Sequence, residues 1–229
     1  MEIQSLVYLG ALTILLILAV VLIAKITNDL LFEIKYILPA VAFSAIIFLM
    51  INIRLAELKV FVYNPIFLSG INWLQYPAEE WLLVPVLSML SFTAYLFTKK
   101  RLTSFEKPNF FVIISLVLLV ISGLITWFSR QKIYPFSMFM LFTMYLGYTV
   151  FRNRFKHHLT SFYLAFLIMI IPFFVLRAAV FSAPVIIPDN NYLIGISLVN
   201  MPVEEFAFLF LLMLINITIY EYLRERRLF

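Results

Sequence analysis

Seven stretches of this chain run for 17 to 22 residues with almost no charge: residues 5–24, 36–53, 81–98, 110–128, 134–150, 160–181 and 203–222. About 20 apolar residues at 1.5 Å rise each are needed to cross the hydrocarbon of a bilayer. The pattern therefore predicts an all-α integral membrane protein with about seven transmembrane helices. Composition agrees: 64% of the 229 residues are hydrophobic and 13% charged, whereas a soluble domain has nearer 45–50% and ~25%. The first stretch lacks a signal peptide's basic lead and small-residue cleavage site, since only Glu2 precedes it.

The basic residues orient the spans. Lys25, Lys35, Lys99, Lys100, Arg101, Lys107, Arg152, Arg154, Lys156, Arg224, Arg226 and Arg227 fall in connections 1–2, 3–4, 5–6 and the C-terminal tail. Only Arg54, Lys59, Arg130 and Lys132 fall on the opposite side. Twelve against four predicts the N-terminus outside and the C-terminus in the cytoplasm of a plasma (inner) membrane. The same bias accounts for the basic clusters as topology signals at a lipid surface, which leaves nucleic acid without a claim on them.

Residues 64–96 lie over 189–221 without a gap. Leu68/Leu193, Gly70/Gly195, Ile71/Ile196, Pro77/Pro202, Glu79/Glu204, Glu80/Glu205, Leu87/Leu212, Thr93/Thr218 and Tyr95/Tyr220 are identical, and Asn64/Asp189, Phe67/Tyr192 and Trp81/Phe206 are similar. Spans 1–3 and 5–7 thus read as two three-helix repeats. Three helices reverse the chain's direction, so a fourth span between the copies makes them parallel. The expected division is repeat 1 over 1–100, a linker span over 101–129 and repeat 2 over 130–229. Both Pro-x-Glu-Glu motifs, Pro77–Glu80 and Pro202–Glu205, then open a helix on the same, outer side.

Proline suits a helix's first turn and acids there complement its dipole, which would explain one such motif. Yet four of only 12 acidic residues stand in the two motifs. Neighbouring helical residues point about 100° apart, so one carboxylate of each pair can face the bundle. Ionisable groups at membrane depth are functional candidates, and like charges gathered in a poorly hydrated place cannot all ionise. Such a cluster holds a proton and can act as general acid beside an ionised base. Arg177, near the outer end of span six, is expected to pair with Glu204 or Glu205; its repeat equivalent is Asn52 on span two.

The inventory removes several functions. Five glycines leave little for a phosphate-cradling loop, and the absence of cysteine removes thiolate and disulfide chemistry. Span seven has no lysine for a retinal Schiff base. His157 and His158 sit in a basic connection rather than in a span, so no metal or haem site is expected in the membrane. Val84 and Leu209 stand where an intramembrane prenyl protease has arginine. Carboxylates, one arginine, amides and 40 aromatic residues (25 Phe, 12 Tyr, 3 Trp) remain. That set suits proton-initiated chemistry on a hydrocarbon, with ring faces stabilising a cation.

The stretches from Tyr63-Asn64-Pro65 through Leu68-Ser69-Gly70-Ile71 to Pro77-Ala78-Glu79-Glu80, and from Asn191–Ile196 to Pro202-Val203-Glu204-Glu205-Phe206, resemble the membrane-integral lycopene cyclases. Asn216 and Ile219-Tyr220-Glu221 are similar too. The length and duplicated motif match that family's fused two-subunit form over nearly the whole chain. The resemblance implies conversion of the linear ψ-ends of lycopene to β-ionone rings, giving γ- then β-carotene, redox-neutral and without a cofactor. Glu79, Glu80, Glu204 and Glu205 would include the catalytic acid and base, with the division open. Arg177, Asn52, Asn64 and Asp189 would support them, and Trp81, Phe206 and Phe208 would line the substrate. Two departures stand out: Ile51-Asn52 replaces the family's Trp-Asp, and Leu83-Val84 replaces two phenylalanines after the first Glu pair. A non-catalytic carotenoid-binding or assembly protein, and a small proton-coupled transporter built on parallel repeats, are the competing readings.

Overall fold

The computed structural model describes residues 3–27, 29–74, 76–101, 107–152 and 155–226; Arg154 and Arg227, counted above for topology, lie outside them. Among the described residues seven helices are long and apolar enough to cross a membrane. They are α1 (Ile3–Ile26), α2 (Leu30–Glu57), α3 (Ala78–Arg101), α4 (Pro108–Phe128), α5 (Ile133–Phe151), α6 (Leu159–Ser182) and α7 (Glu204–Arg226). The protein is an all-α multi-pass membrane protein. Several helices outrun their apolar stretches: α2 begins at Leu30, where Asp29 caps it by accepting from the Phe32 amide, and continues through Arg54.

Two helices make the core. In α3 and α7 72% of the apolar window is buried, against 17% in α4. This explains why the central pair can carry Ser88, Ser91, Thr98 and Asn216, all buried: a polar group inside a membrane bundle needs protein partners. Asn216 finds them on two neighbours. Ser44 of α2 donates to its Oδ1 at 2.8 Å, and its Nδ2 donates to Ser88 of α3 at 2.9 Å.

The packing follows the repeat. Helix α1 lies on α3 as α5 lies on α7, and the repeats meet through α3 with α6 and α2 with α7. Helix α4 lies against α5 and α6, tied by Ser115 to Tyr163 at 2.7 Å and by Thr143 to Ser122 at 2.8 Å.

At one end the two connections before α3 and α7 fold alike. Strand β1 (Phe61–Tyr63), a 3-10 turn (Pro65–Phe67) and the hairpin β2 (Asn72–Trp73) and β3 (Tyr76–Pro77) precede α3. Strand β4 (Ile186–Pro188), a 3-10 turn (Asn190–Tyr192) and the hairpin β5 (Ser197–Leu198) and β6 (Met201–Pro202) precede α7. Residues 58–74 and 76–77, between α2 and α3, thus form a cap. Strands β1 and β4 pair antiparallel with Val62 opposite Ile187, its own repeat equivalent. The pseudo-two-fold axis therefore passes through this ribbon and runs along the bundle, as two parallel repeats require.

Candidate functional site

Directly beneath the β1–β4 ribbon is a cavity of ≈ 20 Å³, lined by Asn52, Phe61, Tyr63, Tyr76, Glu80, Leu83, Tyr134, Arg177, Ile186, Glu205 and Phe208. A space of this size holds about one water molecule. Glu80 and Glu205 are each 3% exposed and Arg177 is 4% exposed. Charges so deeply buried persist only when paired, and these are: Arg177 Nε donates to Glu205 Oε2 at 2.9 Å, and its Nη1 donates to Glu80 Oε1 at 3.4 Å. Of the two carboxylates that Arg177 could meet on α7, it meets Glu205. Its second bond, to Glu80 of the other repeat, is one that pairing within a single motif does not foretell.

Each of these carboxylates also receives a phenol. Tyr8 of α1 donates to Glu80 Oε1 at 2.6 Å, and Tyr134 of α5 donates to Glu205 Oε1 at 3.1 Å. Both tyrosines are buried, on the equivalent first helix of each repeat. The centre is thus two half-sites, each a glutamate and a tyrosine, sharing one guanidinium.

The other two motif carboxylates do a different job. Glu79 Oε1 accepts from the Ser69 amide at 2.7 Å, and Glu204 Oε1 accepts from the Ile194 amide at 2.6 Å. Both are fully buried, and Oε2 of each finds no hydrogen-bond partner among the described residues. They hold the turn at Gly70 and at Gly195, where φ is +79° and +93°; only glycine takes such angles freely. The 100° step between adjacent helical residues separates the roles: the first glutamate turns back to its own cap, and the second faces the partner repeat.

Other expected positions distribute as follows. Asn52 and Phe208 line the cavity. Asn64 and Asp189 cap the two 3-10 turns, accepting from the amides of Ile66 (3.1 Å) and Asn191 (2.9 Å), and do not line it. Trp81 packs on Trp73 and donates its indole N–H to the Trp73 carbonyl, while Phe206 stacks on Phe174; neither borders the cavity. The remaining walls are Phe61, Tyr63, Tyr76, Leu83, Tyr134 and Ile186. Phe61 meets Tyr134 edge-on at 5.2 Å, Tyr63 meets Tyr76 edge-on at 5.6 Å, and Phe208 meets Phe48 at 5.0 Å. Burial pushes the Tyr63 and Tyr76 hydroxyls well above their ordinary range. Both remain neutral phenols. Among the described residues no three His, Asp or Glu side chains gather as a metal site would require.

Chemically, the arrangement is a small, buried, ring-lined space facing two carboxylates and one cation. With both carboxylates ionised it carries one net negative charge; with one protonated it is neutral, the favoured state in a low-dielectric interior. Fold and centre together define a multi-pass helical membrane protein with a buried pair of carboxylates that share one arginine between two repeats. A family model described as lycopene cyclase matches residues 7–98 and again residues 131–223, so the chain belongs to the lycopene cyclase family. The two matched stretches fall on α1–α3 and α5–α7, with α4 outside both. No curated protein and no solved structure matches the chain. Membership makes it a carotenoid cyclase in general class, acting on a carotenoid from within the membrane.

Proposed function

We propose that the chain converts the linear ψ-ends of lycopene to β-ionone rings, giving γ- and then β-carotene, without a cofactor. The observation that carries this reading is that Glu80 and Glu205 face one ring-lined cavity across a single arginine. One of the two gives a proton to the terminal double bond of the polyene, whose π pair forms the new C–H bond and leaves a tertiary cation. The double bond further along the same end attacks that cation, closes the six-membered ring and moves the charge onto it. The other carboxylate removes a proton from the ring, and the electron pair of that C–H bond becomes the ring double bond. One proton enters and one leaves, so nothing is oxidised or reduced.

Charge balance supports the sequence. The starting site is neutral, with Arg177 offset by one carboxylate; when the polyene takes the proton, the newly ionised carboxylate offsets the cation. The faces of Phe61, Tyr134 and Phe208 stabilise that cation further. In this reading Glu79 and Glu204, with Asn64 and Asp189, keep the caps folded. Trp81 and Phe206 contact the polyene only outside the cavity. The closed cavity is far smaller than a ten-carbon ψ-end, so substrate entry separates the walls.

The division into repeat 1 (1–100), linker (101–129) and repeat 2 (130–229) belongs to the same reading. So does an orientation with the N-terminus outside and the carboxylate centre toward the outer face of the plasma membrane. The test is expression in a bacterium that accumulates lycopene, with the pigments resolved by chromatography. Conversion to a monocyclic or bicyclic carotene is expected. Unchanged lycopene with the protein in the membrane would overturn the proposed substrate.

A further inference from the structure

We infer that Tyr8 and Tyr134 are positioning residues that decide which carboxylate is the acid and which the base, by the oxygen each phenol occupies. The inference rests on the acid–base pair proposed above. The two half-sites pair a glutamate with a tyrosine alike but differ in which oxygens the donors occupy. At Glu205 the two donors take different oxygens: Tyr134 on Oε1 at 3.1 Å and Arg177 on Oε2 at 2.9 Å. Both oxygens accept, which is the pattern of a carboxylate. At Glu80 both donors take the same oxygen: Tyr8 on Oε1 at 2.6 Å and Arg177 on Oε1 at 3.4 Å.

Oε2 of Glu80 receives no protein donor among the described residues. A protonated carboxyl has one carbonyl oxygen that accepts and one hydroxyl that donates, and Glu80 is dressed for that form. Oε1 is the carbonyl, doubly hydrogen-bonded, and Oε2 bears the proton. Glu80 is therefore the acid, and Glu205, held at both oxygens, is the base. The phenols make this difference together with the guanidinium, which lies nearer Glu205 (2.9 Å) than Glu80 (3.4 Å). Around this centre stand Asn52 of α2, Tyr63 of β1 and Tyr76 of β3, none of which carries a charge.

The assignment has a signature that does not depend on turnover. In infrared difference spectra of the purified full-length protein in lipid vesicles, the wild type is expected to show a protonated-carboxyl C=O band. Glu80→Gln and Glu205→Gln should each lose it, because the one carboxylate left in either variant ionises to balance Arg177, and the two tyrosines therefore decide between them. Tyr8→Phe removes the shortest bond to the Glu80 carbonyl, so the band should move to higher wavenumber. Tyr134→Phe, acting on an ionised group, should leave it in place. A band that Tyr134→Phe moves and Tyr8→Phe does not would overturn the assignment, as would a band that survives Glu80→Gln. Should Tyr8→Phe fail to fold, Tyr134→Phe still decides the matter: a band left in place supports the assignment and a band that moves overturns it. A protein with these bands that leaves lycopene unchanged would overturn the proposed function and not the acid–base division.

Discussion

Arg177 and Asn52 stand at equivalent places in the two repeats, on α6 and α2, and both line the cavity between Glu80 and Glu205. One cation serves two carboxylates because the pseudo-two-fold axis brings both within its reach, 2.9 and 3.4 Å away. A second arginine at position 52 would complete the symmetry and ionise both glutamates, leaving no acid. The asymmetry of this one pair is what keeps a proton in the centre.

Exchanging the pair tests that equivalence. Arg177→Asn alone leaves buried carboxylates without their cation, a change that costs about 3–5 kcal/mol. Adding Asn52→Arg to it supplies a guanidinium from the other half. Thermal denaturation of the four proteins of the cycle should show the double variant more stable than Arg177→Asn. If the two losses simply add, position 52 does not reach the carboxylates and the equivalence stops at the backbone.

The four motif glutamates should divide two and two. Glu80→Gln and Glu205→Gln each remove a reacting group and should lower ring formation by at least about 10²-fold, the usual contribution of a general acid or base. Glu79→Gln and Glu204→Gln keep a carbonyl oxygen to accept the Ser69 or Ile194 amide, so most activity should survive. Pigment analysis of the four variants, matched for protein in the membrane, reads this directly. Equal loss in all four would return Glu79 and Glu204 to the reacting set.

What the sequence reveals, and what it conceals, follows from how each signal is written. Seven spans and the duplicated Pro-x-Glu-Glu are visible because hydropathy and register survive in one dimension. The pairing of Arg177 with Glu205 is half visible, since depth along span six is readable and the partner repeat is not. Tyr8 and Tyr134 are hidden: the tyrosine stands 72 residues before its glutamate in the first repeat and 71 in the second, and tyrosines near span ends read as interfacial anchors. Trp81 and Phe206 show how adjacency misleads. Each follows a cavity glutamate by one residue and so turns some 100° away, whereas Leu83 and Phe208 follow by three, return to the same face and line the cavity. The caps were unreadable as strands because three- and two-residue segments carry no period.

Gly70 and Gly195 should behave as a matched pair. An added Cβ meets nothing within 4 Å at either position, but φ is +79° and +93°. The penalty of alanine is therefore conformational, about 1 kcal/mol. Gly70→Ala and Gly195→Ala should lower the melting temperature by similar small amounts and leave the pigments unchanged. Loss of cyclisation in either would mean that the turns move during turnover.

The opposite end of the bundle offers a control, because it too holds buried carboxylates in a repeat-related setting. Tyr220 donates to Glu33, which Arg224 also meets at 3.2 Å; Tyr95 donates to Glu221 at 2.7 Å, which Lys99 meets at 2.5 Å. Tyr95 and Tyr220 are repeat equivalents, as are Lys99 and Arg224, so the phenol–carboxylate–cation arrangement recurs. What differs is that Glu33 and Glu221 each have a cation of their own, and no proton has to be kept to balance the charge. Glu33→Gln and Glu221→Gln should therefore cost stability without touching the reaction. Because Lys99 and Arg224 keep about a third of their side chains exposed, the cost should fall between that of surface and buried pairs, about 1–2 kcal/mol. Thermal denaturation and pigment analysis of the same two variants separate the effects. If either variant abolishes ring formation at undiminished stability, burial and pairing do not by themselves distinguish the reacting end from the scaffold end.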